Sequence, residues 1–147
     1  MSDAICIIDG HPHRGKGHLC HALAEAYKAG AKEAGHKVTT LKLAEMDINF
    51  LRDPEDFEKP ASGDIAKAQK AVSAAKHMVI IYPLWMGSMP ALVKAFFEQF
   101  ARGGFAIQES DKGWPLKMLK GKSARVIVTM GMPAAAYKVF FGAHGVK

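Results

Sequence analysis

The chain has 147 residues, with 20 Lys and Arg against 14 Asp and Glu, and a formal net charge of +6. This length predicts one domain, residues 1–147, and a content of 49% hydrophobic and 23% charged residues excludes a disordered chain. Because the basic residues form no block of five or six, the charge predicts no nucleic-acid-binding surface, whereas a small anionic ligand would suit it.

The first half of the chain predicts two strands, each followed by a helix. A buried strand at residues 4–8 runs into a glycine-rich loop, and apolar residues at helical spacing predict a helix from 18 to 34. Residues 37–43 alternate like a half-buried strand. After a polar loop with two prolines, a second helix is predicted over 64–76.

The second half repeats this alternation. A buried strand at residues 77–82 precedes a helix whose first position is Pro90. An irregular region follows, with a short strand at 105–108. A fourth strand is predicted at 124–130 and a short helix at 134–141.

Strand and helix alternate throughout, and three of the strands are continuous apolar runs. Such strands are covered on both faces, which predicts an α/β fold with a doubly wound parallel sheet. Ligands bind beyond the carboxyl ends of the strands in such sheets. We therefore expect three loops, residues 9–17, 83–89 and 131–133, to converge on one crevice.

The first of these loops predicts a phosphate site. It carries Gly10, Gly15, Gly17, Arg14 and Lys16 and opens the first helix, whose backbone N–H groups and dipole favour an anion. The loop also matches the start of a P-loop, but it has a glycine where the Mg²⁺-binding Ser or Thr is required. Glycines that only form a tight turn are the other interpretation.

Four histidines, His11, His13, His18 and His21, lie in the same region. His18 and His21 share one helical face. No cysteine or carboxylate joins them at ligand spacing, so no metal is predicted. Contacts to an anion or solvated imidazoles are expected instead.

The second loop presents Trp85 and Met86 between the rigid residues Pro83 and Pro90. An aromatic ring and a thioether suit a planar ligand ring, and ordinary packing is the alternative.

The third loop follows Thr129 and offers backbone N–H groups around Gly131, with Tyr137 and His144 shortly after it. A phenol and an imidazole can stabilise a developing negative charge and relay a proton. A partly buried ring and a surface histidine are the alternatives.

No segment predicts membrane insertion or a secretory leader. The most apolar stretch is interrupted by Pro83, Gly87 and Pro90, whereas a bilayer helix needs about 20 unbroken apolar residues. The first residues lead directly into a strand without a basic region. Two cysteines are too few for a disulfide framework and indicate the cytoplasm.

Several segments in order carry a family resemblance: GHPHRGKGHLCHALAEAY, YPLWMGSMPALVKAFFEQF, GGFA, LKGKSARVIVTMG and AAAYKVFFGAHG. Together they resemble the flavodoxin-like NAD(P)H:quinone oxidoreductases, which include DT-diaphorase-like reductases, drug-activity modulators and the ancillary flavoproteins of potassium efflux systems. The resemblance covers nearly the whole chain. It implies a three-layer α/β/α flavodoxin-like fold with four core strands in the order 2-1-3-4.

The resemblance also implies a reaction. A bound flavin, FMN or FAD, would take a hydride from NAD(P)H, which then leaves so that a quinone can accept two electrons. The alternative is a regulatory module of the same fold, with or without flavin, that controls a partner such as an ion-efflux system.

Site residues follow from the resemblance by position. The residues that would meet the flavin phosphate are His11, Arg14, Gly15, Lys16, Gly17 and His18. The residues that would line the flavin ring are Pro83, Leu84, Trp85, Met86, Gly87, Thr129 and Gly131. Tyr137 and His144 match the pair that stabilises the reduced, anionic flavin.

The chain departs from the family pattern in its third loop, which reads Thr-Met-Gly-Met rather than Thr-Thr-Gly-Gly, and in its length. Tyr137 and His144 are also one residue further apart than in well-known members, and the tandem aromatic of the second loop is Trp85-Met86. We expect the fifth strand and the last helix of the family to be absent, which leaves the strand at 124–130 as an edge. A homodimer that covers this edge and completes the site is therefore expected.

Overall fold

The computed structural model describes residues 2–108, 113–114 and 116–143. Its elements in chain order are β1 (Ala4–Asp9), α1 (Leu19–Glu33), β2 (Lys37–Lys42), α2 (Pro54–Glu58), α3 (Gly63–Ala74), β3 (His77–Pro83), α4 (Ala91–Ala101), β4 (Ile107–Gln108), β5 (Leu116–Lys117), β6 (Ser123–Thr129) and α5 (Ala134–Phe141). Four of the strands form a parallel sheet in the order β2-β1-β3-β6, and β4 and β5 form a small antiparallel pair. The predicted α/β fold and the core strand order 2-1-3-4 are confirmed, because β6 is the fourth core strand.

Strand β1 is the centre of the packing because its two faces belong to two different clusters. Cys6 and Ile8 pack with α3 and α4 on one side of the sheet. Ile5 and Ile7 pack with α1 on the other side. Alternating side chains of one buried strand thus hold both helical layers, as expected for a doubly wound sheet.

Most predicted bounds agree with the structure to within two residues, and α4 shows where they differ. Pro90 is the residue before this helix rather than its first residue, and its extended ψ of 150° fits that position. The polar loop after β2 contains two short elements that were not predicted, a 3-10 turn at Leu43–Glu45 and the helix α2 with Pro54 at its first position.

The expectation that β6 is covered on both faces is wrong for its first four residues, which are exposed. Within the described ranges β6 pairs with β3 alone, so it is an edge strand, and Val126 is exposed. The expected edge position of this strand therefore agrees with the described residues, whereas the apolar run wrongly indicated that its faces are covered. No helix in the part of the chain that the structure describes is long and apolar enough to cross a membrane.

Gly10 occupies the tightest position at the end of β1. Its N–H donates to the carbonyl of Ile81 at 2.7 Å. A Cβ at this position would lie 2.9 Å from that carbonyl oxygen and 2.9 Å from Cγ2 of Val93. The close approach of β1 to β3 and α4 therefore requires a residue without a side chain.

We predict that Gly10→Ala lowers the free energy of unfolding by about 2 kcal/mol, since backbone and a buried valine must both move. Gly30→Ala is the matched control, because a Cβ there meets open space within α1. It should raise the free energy of unfolding by about 0.5–1 kcal/mol. Urea denaturation of both variants measures this, and equal changes at the two positions would contradict the packing argument.

Candidate functional site

The predicted convergence of three loops is confirmed at the carboxyl ends of β1, β3 and β6. The N–H of Leu84 donates to the carbonyl of Thr129 at 2.7 Å, which joins the second loop to the end of β6. The rings of His11 and Trp85 meet edge to face with 6.1 Å between centroids, which joins the first loop to the second. The three loops thus meet at one edge of the sheet, but the cavity at the start of α1 is lined by the first loop and by no residue of 83–89 or 131–133.

The first loop and the start of α1 line a cavity of about 610 Å³. Residues on its wall include Asp9, Lys16, His18, His21 and Lys42. The wall therefore comes from the end of β1, the glycine-rich loop, the first turn of α1 and the end of β2.

Helix α1 begins in this wall without a capping side chain. His18 is its N-cap and makes no side-chain cap hydrogen bond, and the first turn contains no acidic residue. The first N–H groups of any helix lack a partner within the helix, and their dipole attracts an anion. Gly17, with a φ of +99°, forms the turn that leads into this helix.

Two predicted phosphate contacts in the loop already have partners within the protein. The N–H of Gly15 donates to Nδ1 of His13 at 3.0 Å, and a Cβ on Gly15 would overlap the His13 ring. The Nε of Arg14 donates to the carbonyl of Ala44 at 2.6 Å and ties the loop to the segment after β2. These residues therefore shape the loop.

The four histidines cluster as predicted, and a carboxylate that the sequence spacing did not indicate is hydrogen-bonded to one of them. Asp9 is 2% exposed, and its Oδ2 lies 2.5 Å from Nδ1 of His21. The carboxylate ends β1 and the histidine lies in the first turn of α1, so twelve residues separate them. Asp9 is not among the predicted site residues, and its position at the end of a strand, in the loop that leads to a helix, is the signal that could have identified it.

His21 is held as an imidazolium by its hydrogen bonds. Its Nδ1 faces the Asp9 carboxylate, and its Nε2 lies 3.0 Å from the carbonyl oxygen of His13. Both partners accept hydrogen bonds, so both ring nitrogens donate. Burial alone would lower the pKa of His21, but the hydrogen bonds to Asp9 and His13 and the charge of Asp9 raise it above its ordinary value.

His11 has the opposite character. Its Nδ1 accepts the N–H of His13 at 3.2 Å, and its ring stacks on His18 with 3.9 Å between centroids. Burial, followed by the charges of His18 and His21, lowers the pKa of His11. The cluster therefore holds a neutral imidazole beside a charged one.

The second loop is a tight turn that exposes its apolar side chains. Trp85 and Ser88 exchange two backbone hydrogen bonds, and Met86 and Gly87 have φ values of 49° and 79°. Two central residues with positive φ define a type I′ turn. Trp85 is 48% exposed and Met86 is fully exposed, which excludes ordinary core packing for both.

Side chains directly before and after the third loop contact α1 and the second loop. Oγ1 of Thr129 lies 3.2 Å from Sγ of Cys20 in α1. Tyr137 in α5 is 3% exposed, and its hydroxyl donates to the carbonyl of Gly87 at 2.7 Å. Gly131 is exposed with open space around it.

Of the predicted site residues, Pro83 is buried and is the last residue of β3, where the second loop begins. His144 lies outside the described residues. Among those that are described, no group of three or more His, Cys, Asp or Glu side chains is placed to hold a metal ion.

The chain belongs to a family of flavodoxin-like fold, whose model matches residues 3–145. This confirms the fold and the family that the sequence segments indicated.

Several curated proteins and solved structures are similar to this chain. A protein of Haemophilus influenzae named an uncharacterized NAD(P)H oxidoreductase is 27% identical over 91% of this chain and 67% of its own length. The FMN-dependent NADH:quinone oxidoreductase of Clostridium perfringens is 29% identical over 75% of this chain and 58% of its own length. The solved NAD(P)H:quinone oxidoreductase of Methanothermobacter marburgensis has a TM-score of 0.81 at 21% identity, over 97% of this chain and 74% of that one, which shows a shared fold. This chain spans 53 to 67% of the length of four curated relatives.

The opposite pKa shifts of His21 and His11 predict a maximum in their joint contribution to stability near pH 6.5, the ordinary histidine pKa. With a raised folded-state pKa, His21 contributes fully below pH 6.5, and the contribution is lost as pH rises through that pKa. The folded-state pKa of His11 is lowered, so His11 contributes fully above pH 6.5, and its contribution is lost as pH falls through that folded-state pKa. Urea denaturation from pH 5 to 9 should show a decline above pH 6.5 that His21→Gln lacks. A variant with the same decline as the wild type would contradict the assignment to His21.

Proposed function

We propose that this chain binds a flavin, FMN or FAD, at the carboxyl ends of β1, β3 and β6, and that it passes two electrons from NAD(P)H to a quinone. The observation that carries the proposal is that three loops meet beside the start of α1, which has no capping side chain. Trp85 is exposed there and contacts His11. The names of the relatives, an FMN-dependent NADH:quinone oxidoreductase among them, support the same chemistry.

The first loop fits the phosphate of a flavin. The first turn of α1 offers backbone N–H groups with no capping side chain in competition, and Lys16 and Gly17 lie on the same wall. The neutral His11 can donate a hydrogen bond through Nε2, because its Nδ1 already accepts one. The ring of His18, the N-cap residue of α1, stacks on the ring of His11.

The second loop fits the flavin ring. Trp85 and Met86 expose an indole and a thioether, and the Trp85 ring contacts His11, which lines the cavity. Burial of these groups under a planar ring would remove apolar surface from water. The backbone of Leu84 is fixed by its bond to Thr129, so one side of the ring site is rigid before any ligand arrives.

A bound flavin would supply the hydride chemistry, accepting from NAD(P)H in one half-reaction and donating to the quinone in a second, which makes the cycle ping-pong. The chain's own contribution is to bind, orient and stabilise charge. Tyr137 holds the Gly87 carbonyl through its hydroxyl proton and so fixes the turn that carries Trp85. We assign the stabilisation of negative charge on the reduced flavin to His144 and Tyr137, and in this role the single Tyr137 hydroxyl proton would leave the Gly87 carbonyl for the flavin.

We further propose that residues 1–147 form one flavodoxin-like domain, that it acts as a homodimer, and that it works in the cytoplasm. The exposed edge of β6, with Val126 open to solvent, supports pairing with a second copy. The two cysteines are both buried and unpaired, which suits a reducing compartment.

The first test is the visible spectrum of the protein after incubation with FMN and FAD, followed by NAD(P)H without oxygen. We expect flavin bands that bleach. Trp85→Ala should weaken flavin binding by about tenfold, since stacking on an aromatic ring contributes about 1–3 kcal/mol. Phe50→Ala is the matched control, because Phe50 is also exposed but lines a different cavity.

The outcomes separate the candidate functions. Absence of bound flavin would overturn the flavin proposal. A bound flavin that NAD(P)H cannot bleach would replace the reductase with a regulatory module of the same fold.

Tyr137→Phe tests the role of the hydroxyl. If it stabilises charge on the reduced flavin, stopped-flow reduction should slow by about ten to a hundredfold at saturating NAD(P)H. An unchanged rate constant with weaker flavin binding would remove Tyr137 from the chemistry and leave it as the residue that positions the turn.

A further inference from the structure

The cavity at the start of α1 contains a group that opposes an anion. Asp9 lies on its wall and is 2% exposed, so water screens its carboxylate poorly. A carboxylate and a phosphate in one cavity repel each other, and each disfavours the charged form of the other. Since the proposed function places a phosphate here, the negative charge of Asp9 needs a counter-ion.

His21 meets that need by its position. Its Nδ1 is 2.5 Å from Oδ2 of Asp9, and its second nitrogen is fixed on the His13 carbonyl. The remaining carboxylate oxygen, Oδ1, accepts the N–H of His11 at 3.3 Å. Both members of the pair are therefore held by further hydrogen bonds, with His21 in the first turn of α1.

Two other charged side chains that line the cavity, Glu25 and Lys42, form ion pairs with neighbouring residues. Glu25 of α1 pairs with Lys28 at 3.2 Å. Lys42 of β2 lies 3.6 Å from Glu45 in the turn that follows, and its positive charge opposes protonation of His21.

The glycine-rich loop adds the remaining titratable and charged groups around the pair. Arg14 is bonded to a backbone carbonyl, and Lys16 is exposed. The rings of His11 and His18 lie 5.2 and 5.6 Å from that of His21, and His13 faces it through its carbonyl. Of all these groups, His21 is the one whose charge is directed at Asp9.

We propose that His21 is the counter-ion that makes this cavity able to accept a phosphate group, and that loss of its proton weakens phosphate binding. The inference rests on the proposed function and adds a pH dependence to it. With His21 protonated, the pair is neutral and the helix N-terminus dominates the cavity. When His21 loses its proton, the Asp9 carboxylate is left unpaired beside the phosphate. The raised pKa of His21 sets the switch above pH 6.5.

The test compares FMN with riboflavin, which differ only in the phosphate group. Flavin fluorescence titrations at pH 7 and pH 9 give the two dissociation constants and their ratio. In the wild-type protein the preference for FMN should fall by about tenfold between the two pH values, the size of one charge-assisted hydrogen bond. Ionisation of the phosphate itself, near pH 6, is largely complete at both.

Three variants identify the source of the change. His21→Arg keeps a positive charge and should retain the FMN preference at pH 9. His21→Gln should show the weak preference at both pH values. Asp9→Asn combined with His21→Gln removes both charges and should recover much of the preference without any pH dependence. A wild-type preference that is independent of pH, or a His21→Arg variant that still loses it, would overturn the inference.

Inorganic phosphate separates this inference from the proposed function. Its binding can be followed by the backbone amide NMR signals of Leu19, Cys20 and His21 at the same two pH values. Phosphate that binds about tenfold more tightly at pH 7 than at pH 9 in the wild type but not in His21→Arg, in a protein that binds no flavin, would support the role of His21 and reject the flavin proposal. FMN binding that does not depend on pH would support the flavin proposal and reject the role of His21.

Discussion

The parallel pairing of β1 with two neighbours is the constraint on which the rest of the structure depends. Residue by residue, β1 is in register with β2 on one side and β3 on the other, and its side chains are buried on both faces. Parallel strands that share a register end at one edge of the sheet, so every following loop begins there. Asp9 pairs with Ile81 and Pro83 pairs with Thr129, which places the starts of the three loops side by side.

The fold was largely predictable because apolar runs and helical periodicity report burial. Two strands, β1 and β3, are long enough to be recognised as apolar runs. Two helices, α1 and α4, are long enough for the helical period to be recognised. The 3-10 turn at Leu43–Glu45 and the helix α2 span three and five residues, which is too short for a period to appear. The family resemblance predicted β6 as an edge strand, but the exposure of its faces was missed because an apolar run does not report whether helices cover the strand.

The site was predictable in its location and less so in its contacts. The order of the strands gives the edge at which the loops meet, and this needs no detail of the loops. The bond between Tyr137 and Gly87 joins residues fifty positions apart, and the pair of Asp9 and His21 depends on the path of the glycine-rich loop between them. Such contacts follow from tertiary geometry, which no spacing in the sequence encodes. His11 and His21 illustrate this, since the pKa of the same side chain is lowered at one position and raised at the other, ten residues later.

The turn that carries Trp85 has a further chemical consequence. Its type I′ geometry leaves Met86 fully exposed in a left-handed conformation, in the loop to which we assign the flavin ring. An exposed thioether is open to oxidation to the sulfoxide, which converts a flexible apolar group into a polar, chiral one. At this position the lesion would leave the core untouched and alter only the surface offered to a planar ligand. Oxidative damage to this protein would therefore begin as a change in affinity, well before any loss of the folded structure.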